Sequence, residues 1–137
     1  VLPVALPVAK HLDENKLIAQ LGNSKDTPAT LRNEIAKDLV WLRRSKTGHT
    51  VDLACLKLGP ARILHMPGEL AVEYQLAAQK MRPDLFVAMA AYGEYAPGYI
   101  CMTEHYAQGG YEDSPGASKV APEVEEVLIP AMRKLLE

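Results

Sequence analysis

Glu69 closes the segment Met66-Pro67-Gly68-Glu69, and further on comes a stretch from Tyr92 to Glu112 that holds five of the chain's six tyrosines: Tyr92, Tyr95, Tyr99, Tyr106 and Tyr111. A carboxylate on a rigid turn is a metal ligand or a general base. Phenols are apolar bodies with one polar tip, suited to the walls of a pocket. Glycines at 93, 98, 109 and 110 allow the unusual backbone angles and close approaches that a shaped wall needs. His65, four residues before Glu69, and His105, six after Tyr99, stand near enough in sequence to add metal ligands. Cys101 and His105 have the spacing of a nucleophile and base on one helix face, but no third orienting group accompanies them. His11 and His49 lie far from both segments.

Two strand ends must bring these residues together. "TVDLACLKLG" and "ARILHMP" alternate as strands around a turn at Gly59-Pro60, with Val51, Leu53 and Cys55 on one face of the first. In the second, Arg62, Leu64 and Met66 oppose Ile63 and His65. Pro67-Gly68 is expected to end that strand and start a helix whose buried stripe is Leu70, Tyr74, Ala77, Ala78 and Met81. Glu69 would then sit in the first helical turn, where the macrodipole favours its ionised form. The apolar run 85–93 reads as a buried strand. Strand, helix and strand over residues 51–93 form a βαβ core, so the fold class is α/β, a mixed sheet with flanking helices. In open α/β sheets ligands bind beyond the carboxyl ends of the strands. Both the Pro-Gly-Glu turn and the tyrosine stretch fall there.

The remaining elements frame that core. "VLPVALPVAK" carries prolines four apart and reads as an extended edge or arm. A short helix over Asp13–Leu21 is capped by Asp13 and stopped by Gly22. Thr27 as N-cap and Pro28 at the first helical position open a longer one, with Leu31, Ile35, Leu39 and Leu42 on one face and Trp41 as a second packing contact. Arg43, Arg44 and Lys46 fall at its negative end. Residues 120–137 form a last helix with Val124, Leu128, Ala131 and Leu135 in register, which Pro130 is expected to kink or split.

At 137 residues the chain reads as a single domain. A net charge of −2 with dispersed Lys and Arg points away from nucleic acid and anionic membranes. No apolar stretch reaches the length of a membrane span. The two cysteines, Cys55 and Cys101, make no disulfide framework and are expected to be free. The chain opens on Val rather than Met, as a processed chain or a fragment of a longer one would.

"MPGEL", followed by "GYICMTEHYAQGGYE", resembles the C-terminal part of the catalytic domain of the neutral/alkaline ceramidase family. That family has a Pro-Gly-Glu turn after a strand, then a helix, another strand, and a Tyr-Ile/Val motif in which Tyr99, Ile100, Glu104, Tyr106, Tyr111 and Glu112 fall in place. The likeness covers roughly Leu53 to Ser118. It implies a zinc-dependent amide hydrolase in which Glu69 and Tyr99 are metal ligands, with two histidines from upstream segments completing the set. It implies a wall of Tyr95, Tyr106, Tyr111 and Glu112, a small amide or lipid-like substrate, and secretion or a periplasmic setting. Cys101-Met102 replaces the family's Thr pair. "LAVEYQLAAQK" stands where the family is basic, so the substrate need not be ceramide. The upstream histidines have no counterpart here, which makes the rest of a longer chain one expected partner. Two alternatives stay open: a non-catalytic binding module on the same scaffold, and a small self-contained metal hydrolase using His65 or His105.

Overall fold

The computed structural model describes residues 1–23 and 27–137; the stretch "GNSKD" (22–26) reads as a loop in sequence, and its last three residues lie outside the described ones. Helix α1 (Glu14–Gly22) begins where the Asp13 side chain accepts the Lys16 amide at 2.9 Å, as its sequence predicts. Helix α2 (Ala29–Lys46) starts one residue later than expected, with Pro28 in the capping position and no side-chain cap. Ile35, Leu39, Leu42 and Trp41 are buried, whereas Leu31 is half exposed. Trp41 also donates its indole N–H to the Lys119 carbonyl at 3.1 Å. Arg43 and Lys46 both reach Glu14, at 2.8 and 2.7 Å, so the basic run ties α2 to α1 rather than standing free for phosphate.

The main sheet has the order β1-β2-β3-β5, from β1 (Leu2–Val4), β2 (Val51–Leu58), β3 (Ala61–His65) and β5 (Phe86–Ala90). Strands β1, β2 and β3 pair antiparallel and β5 joins β3 in parallel, as the mixed sheet requires. Helix α3 (Val72–Met81) makes the crossover between β3 and β5. Helix α5 (Val124–Leu136) lies across β1, β2 and β3 and meets α3. Leu53, Leu64 and Val87 of the sheet, Tyr74 and Ala78 of α3, and Val124, Leu128, Met132 and Leu136 of α5 form one core. Pro130 sits inside α5, which continues past it as one helix instead of splitting.

The other face of the sheet is open. Register places Leu56, Ile63 and Ala88 in one row across it and Leu58, Ala61 and Phe86 in the next. Leu56 and Leu58 are each 55% exposed and Phe86 70%. The apolar run of β5 therefore does not mark a strand buried on both sides: β5 is the sheet's edge. The N-terminal arm continues past β1 and binds the segment before α5, through Ala9 N–H to Lys119 O (3.0 Å) and Ala121 N–H to Pro7 O (2.9 Å). Among the described residues no helix is long and apolar enough to cross a membrane.

Candidate functional site

Glu69 lies in no helix. It begins β4 (Glu69–Leu70), a two-residue strand that pairs in parallel with β6 (Tyr99–Ile100), and α3 starts only at Val72. The expected first-turn position, and with it the macrodipole's pull on this carboxylate, is thus corrected. What fixes Glu69 is a second, small sheet: its N–H donates to Gly98 O at 2.9 Å, and the Ala71 N–H to Ile100 O at 3.0 Å. Glu69 and Tyr99 are register partners, as are Leu70 and Ile100. Paired residues of neighbouring strands project to the same face, and successive residues to opposite faces. Glu69 and Tyr99 therefore stand side by side on one face while Ile100 is fully buried on the other.

Glycine permits this close join. Gly68 has φ +59°, and a Cβ there would lie 2.6 Å from Gly98 O and 2.9 Å from the Ile100 side chain. The turn is also clasped to the end of β5, through Gly68 N–H to Glu94 O (2.8 Å), Tyr92 N–H to Gly68 O (2.7 Å) and Gly93 N–H to Met66 O (3.0 Å).

Two depressions meet at Tyr99. The first, an open cleft of about 420 Å³, is lined by Glu69, Tyr99, Cys101, His105, Glu112 and Asp113 among others. The second, a groove of about 770 Å³ between α2 and the tyrosine segment, is lined by Val40, Trp41, Tyr95, Tyr99, Tyr111 and Lys119 among others. Three of the four expected wall residues divide between them. Glu112 flanks the first. Tyr95 and Tyr111 flank the second, with the Tyr111 ring edge-on to Tyr99 at 5.8 Å. Tyr106, on α4 (Thr103–Gln108), lines neither depression; its hydroxyl hydrogen-bonds Ser118 Oγ at 3.2 Å. Partial burial and the Glu69 carboxylate beside it hold the Tyr99 phenol above its ordinary pKa. A dication between the two oxygens would reverse that sign, since a cation lowers the pKa of any oxygen acid it binds.

The histidines are placed differently. His105 borders the first cleft, but its Nδ1 accepts the Met102 N–H at 3.3 Å and its Nε2 lies 3.8 Å from Glu73. His65 is exposed at the end of β3 with its ring against Gly93, where a Cβ would meet Nε2 at 2.6 Å. It is not among the residues lining the Glu69 cleft. Among the described residues no group of three or more His, Cys, Asp or Glu side chains could hold a metal ion. Glu69 and Tyr99 thus fit as two donors of a site, not as a whole one. Asp113, which lines the first cleft beside Glu112, is not singled out by spacing; an acid next to a Tyr-Glu pair is the available signal for it.

Both cysteines are free. Burial, and then the carboxylates of Asp113, Glu112 and Glu73, push the Cys101 thiol up to about 11, opposite to what an activated nucleophile needs. At pH 7.5 that leaves roughly one thiol in three thousand ionised. Iodoacetamide labelling should run in two phases, Cys55 first, with the slow phase missing in Cys101→Ala. Equal rates for the two thiols would contradict this placement.

Comparison with family models, with curated proteins and with solved structures found no match to this chain. The ceramidase-like resemblance rests on the motif residues themselves.

Proposed function

We propose that this chain carries the carboxylate-and-phenol half of a zinc-dependent amide-hydrolase site of the ceramidase-like kind, with the histidine half supplied by further chain. One observation carries the reading: Glu69 and Tyr99, the two residues the motifs single out, are register partners with side chains on one face, at the junction of two depressions. Zinc held there would polarise an amide carbonyl and activate water. The chain's own share is to fix two donors on paired strands, to brace Tyr99 with the Tyr111 edge, and to offer the groove along Val40, Trp41 and Tyr95 to the apolar part of a small amide or lipid-like substrate. The open sheet face, with Leu56, Leu58 and Phe86 each more than half exposed in two adjacent rows, supports a larger assembly, because contiguous apolar surface of this kind marks interaction sites.

The second reading, a non-catalytic recognition module, is favoured by exposure: Tyr92, Tyr95 and Tyr111 are each more than half exposed, and tyrosine is enriched at binding surfaces. Zinc titration separates the two. The half-site reading expects weak zinc binding by this chain, reduced by about tenfold or more in Glu69→Gln and in Tyr99→Phe, since outer ligand partners alone account for that much. Binding unaffected by either substitution would sink it. One tightly held zinc per chain, lost in His65→Ala or His105→Ala, would instead mark a self-contained hydrolase.

A further inference from the structure

We propose that Gln75 and Gln79 of α3 cap the free edge of the main sheet and keep β5 from pairing with β5 of a second copy of this chain. Strand β5 is the last of its sheet, so no neighbouring strand meets the backbone groups on its outer side. In a parallel pair, alternate residues aim both N–H and C=O at the partner, and the residues between aim both away. Phe86 N–H donates to Pro60 O at 3.1 Å, and Ala90 O accepts the Met66 N–H at 2.9 Å, so Phe86, Ala88 and Ala90 face β3. Val87 and Met89 therefore turn their N–H and C=O groups to the open edge. One helix takes two of these groups. The Gln79 amide donates to Val87 O at 3.1 Å, and Gln75 Oε1 accepts the Met89 N–H at 3.3 Å. Gln75 and Gln79 stand four apart on α3 and so reach the strand from the same side of the helix.

Together the two side chains do what a further strand would do. One residue of an added parallel strand would donate its N–H to Val87 O and accept the Met89 N–H with its own C=O. The carboxamides supply that donor and that acceptor, with the same chemistry as a peptide group. An antiparallel partner is opposed as well, since it needs both groups of Val87 or both of Met89, and each residue has one engaged. The strand has reason to need this cover. Leu85 to Ala90 holds no charge, proline or glycine, and Phe86 is strongly exposed. An edge of that kind is a template for another chain unless charges, proline or a covering helix blunt it. A second copy is the occupant it fits: a two-fold axis sets β5 antiparallel to itself, uncharged residue against uncharged residue. That pairing would also run the apolar rows of the open face on from one copy into the next. The cap acts on the edge alone and leaves the face free for a different assembly.

The test compares the unaltered chain with two double variants. Gln75→Ala with Gln79→Ala removes both bonds; Gln75→Glu with Gln79→Lys keeps an acceptor and a donor in place. Sedimentation equilibrium over rising concentration is expected to show the mass doubling in the first variant only. Amide exchange gives the reading at the strand itself. Met89 N–H should be protected in the unaltered chain and exchange about tenfold faster in the first variant when dilute, the size of one lost hydrogen bond. At high concentration its protection should return and extend to Val87 N–H, as strand pairing requires. A first variant with the mass of the unaltered chain at every concentration overturns the proposal. So does association without protection of Val87 N–H, which would assign it to the open face. An unaltered chain in which Met89 N–H exchanges like an exposed amide overturns it too, and that result needs no variant to fold.

Discussion

Replacing Gly98 by alanine is expected to destabilise the protein by about 3 kcal/mol or more, at the upper end of what single substitutions do. Two costs coincide at this position. Its φ of +68° is one that an alanine adopts with strain, and a Cβ would run into the carbonyl oxygen of Ala117. That obstacle is backbone, not the end of a side chain that could swing away. The same Ala117 carbonyl accepts the Tyr99 N–H at 3.1 Å, and the Gly98 carbonyl accepts the Glu69 N–H at 2.9 Å. Relieving the clash therefore means parting the segments that hold both candidate ligands. Gly48→Ala is the control: its φ is +84°, but nothing lies within 4 Å of a Cβ there, so only the conformational cost of about 1 kcal/mol is expected. Urea denaturation of both variants decides it. Equal losses would mean that the segment around Ala117 gives way easily and that the β4–β6 junction is softer than its hydrogen bonds imply.

That junction also shows where the sequence stops being legible. The β2–β3 hairpin, the α3 crossover and the parallel pairing of β5 could be read, because alternation, turn residues and helical periodicity are local signals. Strand β4 could not. Pro67-Gly68-Glu69 has the local look of a helix start, and what decides otherwise is pairing with Gly98 and Ile100, thirty residues away. The exposure of β5 was hidden for a related reason: a run such as Phe86-Val87-Ala88-Met89-Ala90 reads the same whether or not another layer covers it. Pro130 has the local look of a helix breaker, yet α5 carries Val124, Leu128, Ala131, Met132 and Leu136 into the core on both sides of it, and this packing outweighs one lost hydrogen bond. The motifs picked out Glu69 and Tyr99 as a pair. They could not show that His65 turns to Gly93 and His105 to Glu73, which side-chain packing decides. A left-handed tyrosine at 92, with φ 65°, leaves no mark in sequence at all.

Tyr74 carries the other large expected effect. It is fully buried on α3, and its hydroxyl donates to the Cys101 carbonyl at 3.1 Å, just past the end of β6. One side chain thus joins the crossover helix to the strand that bears Tyr99. Tyr74→Ala removes a buried ring and should cost about 3–5 kcal/mol. Tyr74→Phe keeps the ring and leaves the carbonyl unpaired, which should cost about 1–2 kcal/mol. The gap between the two measures the packing share. Burial, with the Glu125 carboxylate next, raises the Tyr74 phenol well above its ordinary value near 10. The sign follows from which state keeps the proton. The folded state holds it through a range where the unfolded phenol gives it up, so this stability is fully present below about pH 10 and lost as pH rises beyond it. Denaturant unfolding from pH 8 to 11 should therefore show falling stability in the unaltered chain and a shallower fall in Tyr74→Phe. The same slope in both would assign the alkaline loss to other phenols, with Tyr106 the first to examine because burial raises it as well.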